Sequence, residues 1–370
     1  MSESPSTSSW LQATGREIAR AGSMTWRAAA AAGRAAGDAA VHLVENAATY
    51  RDEAIGAANG LVGDGLEEKS SPLALPMTVR SADGAVLDLN RPLANQLGSH
   101  SGAVLLMVHG LMATEHRFRL ADPEDAAATV DYGTLMARRT GLTPLYLRYN
   151  SGRHISENGR ELARILQHLF DAWPEPLVEL NLLGHSLGGL VIRSATHYGA
   201  EEDHDWAAAT RRIFLLGTPH AGSPLEKAGN VLTSALGSLP VAQVLAEIGN
   251  RRSAGIKDLR FGALVDEDWN DRHPDALTWP RRSEVPLLAG ARHYVGVATL
   301  GSDPDHPISK ILGDVLVTQF SAHGHVMLGP SHRFPDSHVR VFPSTSHLRL
   351  AACPVVYEQI VEWWDLADPD

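Results

Sequence analysis

A run of small residues, Gly-His-Ser-Leu-Gly-Gly at 184–189, constrains this chain more than any other feature. An apolar stretch, Val-Glu-Leu-Asn-Leu-Leu at 178–183, precedes it, and Leu-Val-Ile-Arg-Ser-Ala at 190–195 follows it. The pattern predicts a buried strand, a sharp turn and the start of a helix. Glycines on both sides of Ser186 leave room for such a turn, which would raise the serine side chain above the sheet. The new helix would direct its first backbone N–H groups toward the same point.

Strands and helices alternate after residue 76, which predicts an α/β fold with a mostly parallel, doubly wound sheet. Continuous apolar strands such as residues 103–108 are expected where helices cover both faces. The predicted strands are 77–80, 86–90, 103–108, 144–149, 178–183, 212–216, 291–298 and 338–342. The predicted helices are 131–140, 159–170 and 354–364, besides the one that begins after Ser186.

Two further segments stand apart from this alternation. Residues 10–68 are rich in alanine and lack proline, so we expect a helical extension over 1–72 in front of a main domain at 73–370. This extension would pack on the main domain or bind a lipid or granule surface, although its acidic residues disfavour anionic membranes. Residues 222–290 interrupt the alternation and predict either a helical cap over the site or a layer that completes the fold.

The composition excludes several classes of function. The chain has 370 residues, 44% of them hydrophobic, a formal net charge of −11 and a pI near 5.9, which disfavours nucleic-acid binding. Cys353 is the single cysteine, no signal peptide is visible and no apolar run is long enough to span a bilayer, so we expect a cytoplasmic protein. Neither a metal motif nor a Gly-x-Gly-x-x-Gly fingerprint occurs, and we expect no metal or cofactor.

Ser186 needs partners to act as a nucleophile. A serine hydroxyl requires a base to take its proton and an acid to orient that base. Where the serine lies on such a turn, the acid and then the histidine follow it along the chain. His347 lies between the last predicted strand and the final helix, where the base is expected, and Asp314 precedes it in Gly-Asp-Val-Leu-Val at 313–317. Asp303 and Asp305 are alternative acids.

The negative charge that develops on the substrate also needs hydrogen-bond donors. The first buried strand ends in Val-His-Gly-Leu-Met at 108–112. Gly110 would let the backbone approach the substrate, and His109 would hold the shape of the loop. We expect the oxyanion donors to be the backbone N–H groups of Leu111 and Leu187.

Five motifs together resemble a lipase/esterase-type α/β hydrolase, and the chain is similar to bacterial triacylglycerol lipases and to GPI-inositol-deacylase-like serine esterases. The motifs are His-Gly-Leu at 109–111, the serine run at 184–189, Gly-Thr-Pro-His-Ala-Gly-Ser at 217–223, the aspartate motif at 313–317 and Ser-His at 346–347. The resemblance covers about residues 100–365. It implies an α/β-hydrolase fold, cleavage of carboxylic esters by Ser186, Asp314 and His347, and a place beside the site for His220.

Several questions about the substrate stay open. Leu236 and Leu239 belong to an apolar stretch at 231–248, which indicates that the substrate is a lipid-like or other small ester. We expect these two residues to bind the substrate, and His109, Gly110 and His220 to contact it as well. The same site would also suit an acyltransferase or a hydrolase of polyesters or thioesters. A catalytically inactive protein that only binds ligand is disfavoured, because every residue type that the reaction requires is present in the expected order. A protein that coats lipid or granule surfaces would account for residues 10–68 but not for the serine motif.

Overall fold

The computed structural model describes residues 37–125, 128–222, 253–270, 282–299 and 334–366. Within these ranges the strands are β1 (Thr78–Arg80), β2 (Ala103–Val108), β3 (Arg119–Ala121), β4 (Thr129–Asp131), β5 (Thr143–Arg148), β6 (Glu179–His185), β7 (Thr210–Leu216), β8 (Arg292–Ala298) and β9 (Val339–Phe342). The α-helices are α1 (Gly37–Glu68), α2 (Tyr132–Thr140), α3 (Ile155–Ala172), α4 (Leu187–Glu201), α5 (Asp205–Ala209), α6 (Ala254–Phe261) and α7 (Pro354–Asp365).

The described strands form one large sheet in the order β1-β5-β2-β6-β7-β8-β9, and β3 pairs with β4 in a small separate sheet. Every pair in the large sheet is parallel except β1 with β5. The mostly parallel sheet expected from the alternating pattern is therefore confirmed. Parallel neighbours bring their carboxyl ends to one edge, so the chain segments that follow β2, β6 and β7 meet there.

Helices cover both faces of the sheet. Alternate residues of β6 separate into the two cores, with Leu182 in one and Leu183 in the other. The first core is completed by apolar residues of α3 and α4, and the second by residues of α2 and α7. Burial on both faces explains why the central strands are apolar without alternation.

Two local predictions from the sequence were wrong. The helix expected over 159–170 begins at Ile155, because the carboxylate of Asp258 in α6 accepts the Ile155 N–H at 2.8 Å and replaces a local cap. Residues 86–90 form only an isolated bridge at Val86. There the Gln96 side chain accepts the N–H of Asp88 at 2.7 Å and donates to its carbonyl at 2.9 Å, so these groups do not join a strand.

Helix α1 has a kink at Val62, where the backbone is non-helical, two residues after Gly60. Its second half contacts the body of the protein. Ala57 and Leu61 form a small apolar cluster with Met112 and Ile256. The division of the chain at residues 72 and 73 remains a prediction. No helix in the described ranges is both long enough and apolar enough to cross a membrane.

Most of the predicted cap at 222–290 lies outside the described residues. The described part includes α6, which begins with Ser253 as its N-cap and ends at Gly262. The N–H of Ala254 donates to the Asp64 carboxylate of α1 at 2.9 Å, and Gly255 lies against the backbone of Ser151. This portion of the insertion is therefore packed into the fold.

Candidate active site

Ser186 lies at the junction of β6 and α4 with φ 55° and ψ −122°. A side chain other than glycine rarely adopts a positive φ, and such strain persists only where the surroundings enforce it. Here the Ser186 N–H donates to the Leu216 carbonyl at 2.8 Å, and its own carbonyl accepts the Gly189 N–H at 3.1 Å. The strand, sharp turn and helix expected from the motif are present, with the serine at the carboxyl edge of the sheet.

The glycines of the motif permit close backbone contacts around this turn. A Cβ on Gly184 would lie 2.6 Å from the Cα of Gly189. A Cβ on Gly188 would lie 2.5 Å from the carbonyl oxygen of His109. Both distances are shorter than any relaxed carbon contact, so the turn and the end of β2 approach each other only because side chains are absent.

Residues 110–112 follow β2 and lie against the serine, and we call them the oxyanion loop after the role expected from the sequence. A Cβ on Gly110 would be 3.0 Å from the Cβ of Ser186. Met112 has φ 60°, and its N–H donates to the hydroxyl of Ser151 at 3.1 Å. The N–H groups of Leu111 and Leu187 have no backbone acceptor within the described part of the chain. Both remain available as donors, as an oxyanion site requires.

His109 is fully buried beneath this loop. Its ring stacks on Tyr149 with centroids 4.4 Å apart, and its Nδ1 lies 2.9 Å from the Gly110 carbonyl, so Nδ1 carries the hydrogen and donates it. The Tyr149 hydroxyl donates to the His109 carbonyl at 2.8 Å. Burial lowers the pKa of His109 to about 4, which keeps the ring neutral near pH 7. Tyr149 has no motif around it and was missed by the sequence analysis.

His347 is buried in a short helical turn after β9. Its ring lies against Gly217, where a Cβ would be 3.0 Å from Cε1 and 3.1 Å from Nδ1 of the histidine. Gly217 has φ 63° and directly follows Leu216, the residue that accepts the Ser186 N–H. The fold therefore brings His347 to the segment that adjoins the serine turn.

His185 joins the serine turn to the His347 segment. Its Nε2 lies 3.0 Å from the His347 carbonyl, and the two rings have centroids 5.0 Å apart. Burial, followed by the charge of His347, lowers the pKa of His185 well below its ordinary value. A neutral ring that donates through Nε2 supports the backbone of His347. This supporting role of His185 was missed by the sequence analysis.

His220 is buried in the loop after β7. Its ring packs on Phe334 with centroids 5.5 Å apart, and its Nδ1 lies 3.4 Å from a guanidinium nitrogen of Arg193. Its carbonyl accepts a hydrogen bond from Arg282 at 2.6 Å. These contacts hold the loop, and a role in substrate binding remains a prediction.

The remaining predicted site residues, Asp314, Leu236 and Leu239, lie outside the described residues, as do the alternative acids Asp303 and Asp305. Among the residues that are described, no group of three or more His, Cys, Asp or Glu side chains is arranged to hold a metal ion.

No protein-family model matches the sequence, and a search of curated protein sequences finds no significant relative. Solved structures with a similar arrangement include the mature lipase BlEst2 of Bacillus licheniformis, 18% identical over 71% of this chain and 92% of that chain, with a TM-score of 0.44. Aspergillus fumigatus lipase B is 9% identical over 74% of this chain and 56% of its own, with a TM-score of 0.42. The metagenomic carboxyl esterase MGS0156 is 16% identical over 72% and 78%, with a TM-score of 0.38.

Similarity at this level does not identify the substrate or the mechanism, which have to be inferred from the residues of this chain. Its own topology is informative about the fold: a mostly parallel sheet carries helices on both faces, and a strained serine occupies the sharp turn between β6 and α4. This arrangement is the α/β-hydrolase fold.

Proposed function

We propose that this protein is a serine hydrolase that cleaves carboxylic esters without a cofactor. The observation that carries the proposal is the strained backbone of Ser186, which presents its hydroxyl beside the oxyanion loop. Strain of this kind is retained where it serves a site. Acyl transfer needs a nucleophile that the substrate can reach, hydrogen-bond donors for the oxyanion and a base. These requirements are met by the partly exposed serine, by two N–H groups without a backbone acceptor and by a histidine on the neighbouring segment.

The reaction would proceed in two steps. Ser186 Oγ attacks the ester carbonyl while His347 takes the hydroxyl proton, and the N–H groups of Leu111 and Leu187 bind the resulting oxyanion. The C–O bond to the alcohol then breaks, and His347 gives the proton to the departing alcohol oxygen. Water, deprotonated by the same histidine, hydrolyses the acyl-enzyme and releases the carboxylic acid.

We assign the acid of the triad to Asp314 on its position in the chain order, between the serine and the histidine. An acid there would fix the tautomer of His347 and stabilise its protonated form. The apolar stretch around Leu236 and Leu239 would bind the acyl group of a lipid-like ester.

The test combines a covalent probe with one substitution. A fluorophosphonate should label wild-type protein at Ser186 alone, and p-nitrophenyl esters from acetyl to palmitoyl should be hydrolysed. Ser186→Ala should lower kcat by a factor on the order of 10⁶, because loss of a triad nucleophile removes the covalent route. Labelling at another serine, or unchanged turnover in the variant, would refute the proposal.

A further inference from the structure

Helix α1 packs directly on the backbone of the oxyanion loop. A Cβ on Gly60 would lie 2.7 Å from the N and 2.8 Å from the Cα of Met112. One turn earlier, a Cβ on Gly56 would lie 2.8 Å from the Ala113 carbonyl oxygen. Helix and loop therefore touch backbone to backbone, an approach that glycine permits and alanine does not.

The same helix also contacts the segment that accepts a hydrogen bond from the loop. Ser151 accepts the N–H of Met112, and the neighbouring Asn150 donates its side-chain amide to the Gly63 carbonyl at 2.9 Å. Ser253, which caps α6, donates its hydroxyl to the Gly60 carbonyl at 2.7 Å. Gly60 and Ser151 thus both contact the backbone of Met112, and the segment of Ser151 packs directly on the helix, where a Cβ on Gly152 would overlap the Asn59 carbonyl oxygen.

Buried charges fix the position of α1 on this surface. A guanidinium nitrogen of Arg148, at the end of β5, lies 2.8 Å from the Asp52 carboxylate of the helix. Arg148 also donates to Glu115, which follows the loop after Ala113 and Thr114, through Nε at 2.8 Å. An ion pair that is largely removed from water has a defined geometry, so the helix has little freedom to slide along the loop.

The oxyanion loop has a reason to need external support. Met112 adopts φ 60°, a conformation that costs about 1–2 kcal/mol for a residue with a side chain. A free loop would relax from it, and the orientation of the adjoining Leu111 N–H would change. Oxyanion stabilisation depends on donors that are already oriented before the reaction.

We propose that Gly60 of α1 and Ser151 are positioning residues that together hold the oxyanion loop, and so orient the Leu111 N–H toward the substrate oxygen. The proposal rests on the proposed ester hydrolysis, because it assigns the Leu111 N–H an oxyanion to bind. Neither residue touches the substrate, and both act through Met112.

The kinetic test compares Gly60→Ala and Ser151→Ala with Gly65→Ala, a matched control on the same helix where a Cβ meets no atom within 4 Å. Activity is expressed per active site, counted by the endpoint of fluorophosphonate labelling. Removal of an oxyanion donor costs about 10²–10³ in kcat. A misoriented donor should cost roughly 10–100-fold in kcat with KM within about twofold, whereas Gly65→Ala should match wild type.

Hydrogen exchange of the Met112 amide provides a readout that does not depend on activity. Exchange should be slow in the wild type and in Gly65→Ala, and faster in Gly60→Ala and Ser151→Ala. If either test variant keeps both the exchange rate and the kcat of the wild type, the inference is wrong. An equal loss in Gly65→Ala overturns it as well.

Two outcomes separate this inference from the proposed function. Wild-type protein that neither hydrolyses esters nor reacts with fluorophosphonate, yet shows the expected exchange pattern, would refute the function and retain the support of the loop. If the wild-type protein is active but the exchange of the Met112 amide is unchanged in both variants, the proposed function stands and the support of the loop is refuted. If Gly60→Ala does not fold, Ser151→Ala alone tests the inference, because it removes the hydroxyl group without adding atoms that could clash.

Discussion

At the scale of single residues, the candidate site is built largely from backbone groups. Ser186 and Met112 are held at positive φ, and Gly188 permits the contact between the serine turn and β2. The sharp turn at Ser186 could be predicted from the sequence, because glycines occupy fixed positions on both sides of the serine. The supports supplied by Tyr149 and His185 were not readable, since each depends on a neighbour that only the folded chain brings near.

His109 leads to a prediction about pH. Its pKa is about 4 in the folded chain against 6.5 for an ordinary histidine, because burial disfavours the charged ring. Between these values the unfolded chain binds more protons, so stability is complete above pH 6.5 and falls as the pH is lowered toward 4. The loss attributable to this residue should reach roughly 3 kcal/mol.

The measurement is the free energy of unfolding in urea from pH 4 to 8, for wild type and for His109→Asn. Asparagine offers an amide donor near the place of Nδ1 and does not titrate. The variant should be less stable throughout but should show a shallower decline below pH 6.5. Parallel curves for the two proteins would contradict the prediction, because they would show that His109 takes up no proton when the chain unfolds in this pH range.

At the scale of secondary-structure elements, the positions of the central strands and of α2, α4 and α7 followed from hydrophobic pattern and glycine signals. Strand β2 coincides with the predicted residues 103–108, because a continuous apolar run of that length has one stable place in a covered parallel sheet. The start of α3 was not predictable, since its cap is Asp258, which lies 103 residues farther along the chain. Local rules for helix ends fail where a remote carboxylate satisfies the N–H groups.

Tyr132, at the start of α2, holds the segment that carries His347. Its buried hydroxyl accepts the Cys353 N–H at 2.7 Å and lies 2.9 Å from the Cys353 carbonyl and 3.0 Å from that of Leu350. Tyr132→Phe removes the partner of the Cys353 N–H and of the Leu350 carbonyl, whereas the Cys353 carbonyl still accepts the N–H groups of Val356 and Tyr357. The loss should lower the free energy of unfolding by about 1–3 kcal/mol. Esterase activity should fall as well, because the turn begins at His347.

Tyr357→Phe is the control for this prediction. Its ring stacks on Tyr132 with centroids 6.1 Å apart, but its hydroxyl makes no hydrogen bond among the described residues. Urea unfolding of the two variants and of wild type should place Tyr357→Phe within about 0.5 kcal/mol of wild type. Equal stability of both variants would contradict the role assigned to the Tyr132 hydroxyl.

At the scale of the whole molecule, α1 is a part of the packed structure. Its Leu61 lies in an apolar cluster with Met112 and Ile256, and its Asp52 pairs with Arg148 in the large sheet. Composition indicated a helical segment over 10–68 but not its partners, because alanine and glycine reveal little about the surface against which they pack.

Deletion of residues 1–72 tests this integration. A chain that starts at Leu73 would expose Met112 and Ile256 and leave Arg148 without the carboxylate of Asp52. We expect a clearly lower melting temperature, by several degrees or more, because several buried contacts are lost together and each kcal/mol corresponds to about 1–2 °C in a protein of this size. Circular dichroism melting curves measure the change. An unaltered melting temperature would show that α1 is a separate unit.

The hydrogen bond between Asp64 and Ala254 spans 190 residues of sequence, and this separation has a consequence for synthesis. At about 5–20 residues per second, a ribosome needs roughly 10–40 s to make the chain between them. During that interval α1 has left the ribosome while part of its binding surface does not yet exist. The helix is therefore made before the sheet and completes its docking only after α6 has emerged. Leu61, whose apolar cluster includes Ile256, remains partly accessible to other chains, or to chaperones, until α6 has emerged.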